Sequence, residues 1–372
     1  MSTAPRTRPL IAAAPPTRRR SIAPAPLPPE IIPTIPAWAA LHDEELLALR
    51  ICDLDVHVEG SELTPRVAQL HAELAAHGLS FRPLCYLGDE WFTPSGTALI
   101  AIPFFLAHPR LRQLERRQMR EVEGGTDEEC MKLLRHECGH AFDHAYRFSR
   151  RPKWRALFGR SDENATPDVY RPRPYSKSFV RHIKNNYAQA HPDEDFAETF
   201  AVVIGSPESV WRRRYRGWKA LAKLEYVQSL IKEAAARTAP RTPIKRLADA
   251  RRIKKTLTRY YTDRRREYAE DFPDFLDPDL FRIFGPADPA LAADSAAHFL
   301  RRRRDAIVSA VVDWSGAHKY TVDELLRRLI ARCEALGLTA IRDEARTALD
   351  VGAYLSAMVT THLHTGRYKR TV

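Results

Sequence analysis

The sequence predicts an α+β fold: a small sheet, a long capped helix, and then a mostly α-helical C-terminal region. Three observations carry this prediction. Apolar and polar residues alternate between Arg50 and Val58, strong helix-start signals stand at Thr126 and Pro192, and beyond Gly205 the pattern is helical almost throughout. At 372 residues the chain has room for roughly two domains of about 100–200 residues each. Three regions are expected. Residues 1–36 are dense in Pro, Ala and Arg with nothing periodic to bury, and should be disordered. Residues 37–240 hold the mixed structure, and 241–372 form a helical region with no assigned role.

In chain order, RICDLDVHV over 50–58 places Cys52, Leu54, Val56 and Val58 on one face and Asp53, Asp55 and His57 on the other, as a half-buried strand does. Thr64 and Pro65 then read as an N-cap and first helical position. Val67, Leu70 and Leu74 recur at helical spacing, and Gly78 supplies the stop. Phe81–Leu87 and Thr97–Phe105 read as two further strands around the Pro94-Ser95-Gly96 turn, with Pro103 suiting an edge. The opening is therefore predicted as βαββ. Thr126 and Glu129 form a capping box, Asp127 and Glu128 fill the first turn, and a helix should run through Phe148. A second helix should start near Pro192 with Asp193, Glu194 and Asp195 in its first turn, ending at Gly205. A later one should be capped by Thr321 with Glu324 and run to Cys333.

Composition excludes several classes. Only 44% of residues are hydrophobic, and no stretch approaches the ~20 apolar residues of a spanning helix, so no membrane partner is expected. The five cysteines are scattered without a C-x-x-C pair, which encodes neither a disulfide framework nor a zinc ribbon and favours a reducing compartment. The N-terminus has too short an apolar stretch for a signal peptide, and a cytoplasmic protein is expected. The net charge of +12 is uneven. Residues 37–210 carry 21 basic against 26 acidic side chains, whereas 211–372 carry 33 against 20. A basic C-terminal half could engage an acidic partner or nucleic acid.

The chemistry lies in MKLLRHECGHAFDHAY, which contains His136-Glu137-x-x-His140. Residues four apart on a helix lie on one face about 6 Å apart in rise, so both imidazoles can reach one ion, with Glu137 beside it. Zinc with three protein ligands and an open position lowers the pKa of its water toward ~7, and a neighbouring carboxylate can take the proton during attack on an amide. His144, about 12 Å further along the axis from His136, is too far to share that ion and reads as a surface or packing histidine. The longer pattern H-E-x-x-H-x-x-G-x-x-H is absent, since Asp143 occupies its glycine position and Ser149 lies nearest its third histidine. Downstream, HPDEDFAETFA offers Glu194 and Glu198, four apart. One of them can ligate the ion while the other hydrogen-bonds a ligand histidine, the pattern of a gluzincin. His182 and His191 are nearby without an assigned role.

RHECGHAFDHAYR followed by NNYAQAHPDEDFAETFA resembles the bacterial family of "putative zinc-binding metallopeptidases". The second half also resembles the catalytic domain of anthrax lethal-factor-like peptidases. The resemblance covers roughly residues 80–235. It implies a zincin-like catalytic domain within 37–240, a peptide or protein substrate, and Zn2+ as cofactor. It places the third ligand at Glu194, the carboxylate that orients a ligand imidazole at Glu198, and a tyrosine seven residues upstream of Glu194 at Tyr187. In these roles His136, His140 and Glu194 hold the metal, Glu137 is the general base, and Tyr187 donates to the developing oxyanion. The resemblance also implies that Thr97–Ile102 is a strand edge that holds extended substrate, although TALIAI is apolar on both faces, as a buried core strand would be.

The basic segments read mainly as solvated faces. In WRRRYRGWKALAKLEY, Trp211, Tyr215, Trp218, Ala222 and Tyr226 step by three or four and make one apolar stripe, leaving Arg212, Arg213, Arg214 and Arg216 outward. Arg251-Arg252 with Lys254-Lys255, Arg264–Arg266 and Arg301–Arg304 are further clusters on expected helices, which together could form one surface for nucleic acid. EDFPDFLDPDLF lacks the glycine and terminal glutamate of a calcium loop and reads as a Pro-broken inter-helix loop.

Overall fold

The computed structural model describes residues 36–160, 173, 175–268, 277–286 and 294–365. The expected disordered tail falls almost wholly outside them, as do residues 271–276 of the acidic loop. The described chain is mostly helical with a small sheet, consistent with an α+β fold.

The first predicted strand does not form. Residues Ile51–Leu54 make a 3-10 turn, and Asp55 follows in the left-handed region at φ 48°. Two features favour the turn. Ile51 and Leu54 are the buried pair, three residues apart, and Arg50 grips Asp53 at 2.6 Å, an i,i+3 ion pair that a helical turn brings together. The backbone groups of this segment are still satisfied, since the amides of Ile51 and Cys52 donate to the carbonyls of Lys255 and Ile253. Short helix α1 (Asp43–Ala48) precedes it and α2 (Leu63–Ala76) follows. Helix α2 starts one residue before the predicted cap, because the Thr64 hydroxyl donates to the Val58 carbonyl instead. Gly78, at φ 76°, ends the turn as expected.

Strands β1 (Leu84–Gly88) and β2 (Leu99–Pro103) pair in parallel, from Leu84 opposite Leu99 to Gly88 opposite Pro103. All five residues of β2 are buried, so this strand is no exposed substrate edge. Its other side is also engaged: Phe92 makes an antiparallel bridge with Ala101, whose amide donates to the Phe92 carbonyl at 2.9 Å. An apolar strand with both faces covered, one edge paired and the other bridged at Ala101 is core material.

Helix α3 (Pro109–Met119) leads by a Gly-Gly turn into α4 (Asp127–Tyr146), where the Thr126 hydroxyl accepts from the Glu129 amide as the capping pattern predicts. Short helix α5 (Pro152–Phe158) is followed by α6 (Pro192–Gly205), bounded as the sequence indicates. Helices α4 and α6 cross at a point of backbone contact. A Cβ on Gly139 would lie 2.7 Å from the Ala197 Cα and 3.0 Å from its carbonyl oxygen, so only glycine permits the approach. The aromatic stripe is broken rather than continuous: α7 (Glu208–Arg214) ends before Gly217, at φ 76°, and α8 (Ala220–Ala235) begins anew. Trp211, Tyr215 and Tyr226 are buried as packing residues, while Ala222 is exposed.

Helix α9 (Leu257–Tyr268) places Leu257, Tyr260 and Tyr261 in the same hydrophobic core as the sheet and α4. A second core lies among α10 (Asp277–Ile283), α11 (Ala296–Ser315), α12 (Lys319–Ala335) and α13 (Glu344–Thr365), together with the two-residue strands β3 (Gly285–Pro286) and β4 (Leu338–Thr339). Helix α12 starts two residues before the predicted Thr321 cap, at a His318 cap. Its Asp323, 4% exposed, is gripped by Arg304 at 2.6 Å and by Arg120 at 3.2 Å, which ties this core to the loop that leads into α4. No helix among the described residues is long and apolar enough to cross a membrane.

Candidate metal centre

Helices α4 and α6 bring His136, His140 and Glu194 to one point. The Glu194 Oε2 lies 3.0 Å from the His136 Nε2 and 3.2 Å from the His140 Nε2, and the two imidazole nitrogens are 3.1 Å apart. Donors bound tetrahedrally at 2.0–2.2 Å stand about 3.3–3.6 Å from one another, so a slight outward relaxation of this spacing suits a zinc-sized ion. The donor chemistry fits as well: two imidazoles and one carboxylate are a zinc set with an open fourth position. Gly139 and Ala197 explain how the helices come this close, since each lies three residues after a candidate ligand and one residue before another site residue.

Glu198 lies behind His136. Its Oε1 is 3.0 Å from the His136 Nδ1, and its Oε2 accepts from the Ile183 amide at 2.8 Å. The carboxylate is fully buried, so both oxygens depend on these partners. A hydrogen bond at Nδ1 fixes the ring orientation and turns the Nε2 lone pair toward the shared point. The structure thus separates the two glutamates by position: Glu194 faces the point the two Nε2 atoms share, and Glu198 faces the far side of His136.

Electrostatics bind the cluster together. Burial works to lower the His136 pKa, but Glu194 and Glu198 outweigh it and hold the ring well above its ordinary value. The His140 pKa is raised against the same burial by Glu194. Conversely, burial would raise Glu194, but His140 and His136 hold its carboxyl far below the usual range. The site draws positive charge, and without protons a divalent cation is its natural occupant.

Glu137, 6% exposed, stands beside the pair of histidines. Its Oε2 is 3.0 Å from the Thr93 hydroxyl, which also lies 3.0 Å from the Glu137 carbonyl oxygen. Tyr187, on the 3-10 turn Lys184–Gln189, sets its ring 5.6 Å from that of His136. All six residues singled out in the sequence are therefore assembled around one locus. His144 stays out of it. It is packed against the backbone of Pro94 and Thr97, and burial pushes its pKa down to about 4. The His182 Nε2–H donates to the Lys132 carbonyl at 3.0 Å, and the His191 ring caps α6 by accepting from the Asp193 amide.

Sequence reasoning missed Thr93, for a physical reason. It stands 44 residues before Glu137 in a connecting segment without periodicity, held over α4 by long-range contacts such as the Phe92–Ala101 bridge. Among the basic clusters, Arg301–Arg304 and Arg264 are met by carboxylates of the same chain. Arg301 pairs with Glu334, Arg302 with Asp294 and Glu344, Arg303 with Glu344, Arg304 with Asp323, and Arg264 with the buried Glu115.

Two helices that converge a His, His, Glu donor set at zinc spacing, with a further carboxylate alongside, are the frame of a metal-dependent hydrolase. Residues 69–230 match the model of a family described as "Putative zinc-binding metallo-peptidase", a span that contains every residue of the site. Zinc is thereby the cofactor. No curated protein and no solved structure matches the chain.

Proposed function

We propose that the protein is a zinc-dependent metallopeptidase of gluzincin type. The observation that carries this reading is the convergence of His136, His140 and Glu194 within 3.0–3.2 Å, with Glu137 on the same helix and Glu198 bonded to the back of His136. When bound, zinc supplies a Lewis acid that brings the pKa of a water toward ~7 and polarises a carbonyl. His136, His140 and Glu194 would hold it. Glu137 accepts the proton of the attacking water and returns it to the leaving amine, which needs a carboxylate close to the reacting atoms and shielded from bulk solvent. Tyr187, beside His136, donates a hydrogen bond to the oxyanion that develops on the carbonyl. Glu198 keeps the His136 ring in register.

The substrate is a peptide or protein. With β2 covered, the backbone at Phe92–Thr93, which bridges Ala101 and reaches Glu137, is the segment positioned to meet an extended chain. The C-terminal basic region does not favour a second reading, since its densest cluster, Arg301–Arg304, is held by carboxylates of the same chain.

The test is an unbiased cleavage profile on a proteome-derived peptide library, comparing zinc-loaded wild type with Glu137→Gln. Specific cuts made by wild type and lost in Glu137→Gln support the reading. Equal cutting by both removes Glu137 as base, and no cutting by wild type removes the peptidase assignment.

A further inference from the structure

We propose that Thr93 is a positioning residue for the general base: its hydroxyl holds the Glu137 carboxylate in the orientation that faces the metal centre. This inference rests on the peptidase reading of the same site and assigns a role to a residue outside both helices. The hydroxyl has one proton and two acceptors at 3.0 Å, the Glu137 Oε2 and the Glu137 main-chain oxygen. That main-chain oxygen already serves the α4 ladder, and an ionised carboxylate is the stronger acceptor, so the proton goes to Oε2. The second acceptor keeps the part-buried hydroxyl satisfied whenever Oε2 is released toward substrate.

Thr93 can act as a fixed post because its neighbours on both sides are tied down. The Phe92 carbonyl accepts from the Ala101 amide at 2.9 Å. The Pro94 carbonyl accepts from the Thr97 amide at 3.1 Å and the Thr97 hydroxyl at 2.7 Å. Proline at 94 removes a backbone torsion, and the Trp91 ring rests against Gly124 in the turn before α4. The post is thus anchored to the sheet on one side and to the approach of α4 on the other. Glutamate has three side-chain torsions, and a hydrogen bond from a rigid element limits their wandering at the one carboxylate that must meet the reacting atoms.

Thr93→Val preserves the β-branched shape and removes only the hydroxyl, while Thr93→Ser keeps the hydroxyl. Kinetics are read with a quenched-fluorescent peptide carrying the bond that wild type cuts most often in the peptide library. The expected result for Thr93→Val is a kcat lower by about 10–100-fold, the loss that misplacing a reacting group brings, with KM and zinc affinity within about twofold of wild type. Thr93→Ser should recover most of kcat. An unchanged kcat in Thr93→Val, a Ser variant as impaired as Val, or a loss carried by KM or zinc affinity would each overturn the assignment. Crystal structures supply a readout independent of activity: the Glu137 carboxylate should be displaced in Thr93→Val and in place in Thr93→Ser. A carboxylate unmoved in Thr93→Val also overturns the role, whereas a wild type that cuts nothing refutes the peptidase reading itself.

Discussion

Gly139→Ala places one methyl group at the crossing of α4 and α6, and its consequences can be worked from the geometry. The new Cβ would meet the Ala197 Cα at 2.7 Å and its carbonyl oxygen at 3.0 Å, against 3.4 Å or more for ordinary contact. Both neighbours are backbone, so neither can rotate away, and the helices must part by about 0.7 Å or more. Such a shift opens the 3.0 and 3.2 Å spacings of Glu194 to the histidines to about 3.7 and 3.9 Å. That exceeds the ~0.2 Å tolerance of a metal site by several-fold. Overpacking costs about 1–3 kcal/mol, and alanine returns about 1 kcal/mol of helix propensity, so the metal-free protein should lose only about 0–2 kcal/mol. Zinc affinity should fall much more visibly, by about 10–100-fold, as it does when the groups supporting ligands are disturbed. Competition with a chromophoric chelator measures the affinity, and thermal melting of the metal-free protein checks the fold. A Gly139→Ala protein that binds zinc within about twofold of wild type would refute the argument that this backbone contact sets the ligand geometry.

Three further outcomes follow from the site and its surroundings. Glu198→Gln presents an NH2 group to one of the two donors that Glu198 now accepts from, His136 and the Ile183 amide; zinc affinity should drop by about 10–100-fold in the chelator assay, and wild-type affinity would contradict the orienting role. Tyr187→Phe should lower kcat by about 10²–10³-fold with little change in KM, as loss of an oxyanion donor does; a loss confined to KM would assign Tyr187 to binding instead. His144, with its pKa depressed to about 4 from 6.5, is neutral in the fold, so its contribution is present above pH 6.5 and is lost as pH falls through 4. The melting temperature of the metal-free wild type should therefore fall relative to His144→Gln between pH 6.5 and 4, and parallel curves for the two proteins would contradict this.

Some locally decided features were legible in the sequence, although the Thr64 and Thr321 caps were not among them. The Thr126 cap, the Pro192 start of α6 and the two H-E-x-x-H histidines depend on residues within a turn or two of each other, and all stand where the pattern put them. The strand expected over 50–58 failed for an equally local reason. Period-two alternation lost to an Arg50–Asp53 pair and to a burial spacing of three, and a left-handed Asp55 ended the extended path. Long-range relations were out of reach. No pattern shows that β1 and β2 pair in parallel, that Phe92 covers the far side of β2, or that Thr93 meets Glu137 across 44 residues. Nor can charge counting show that Arg301–Arg304 are met by Glu334, Asp294, Glu344 and Asp323. The glutamate assignment is intermediate: spacing alone left Glu194 and Glu198 interchangeable, and the fold separates them by which side of His136 each faces.

The most direct test is the zinc content of the purified protein, measured after exposure to equimolar zinc and removal of the excess, for wild type beside Glu194→Ala and Glu198→Ala. The account predicts one zinc per wild-type chain, almost none in Glu194→Ala, and weakened but detectable binding in Glu198→Ala. A wild type that holds no zinc, or a Glu194→Ala protein that holds it as tightly as wild type, would contradict the site described above.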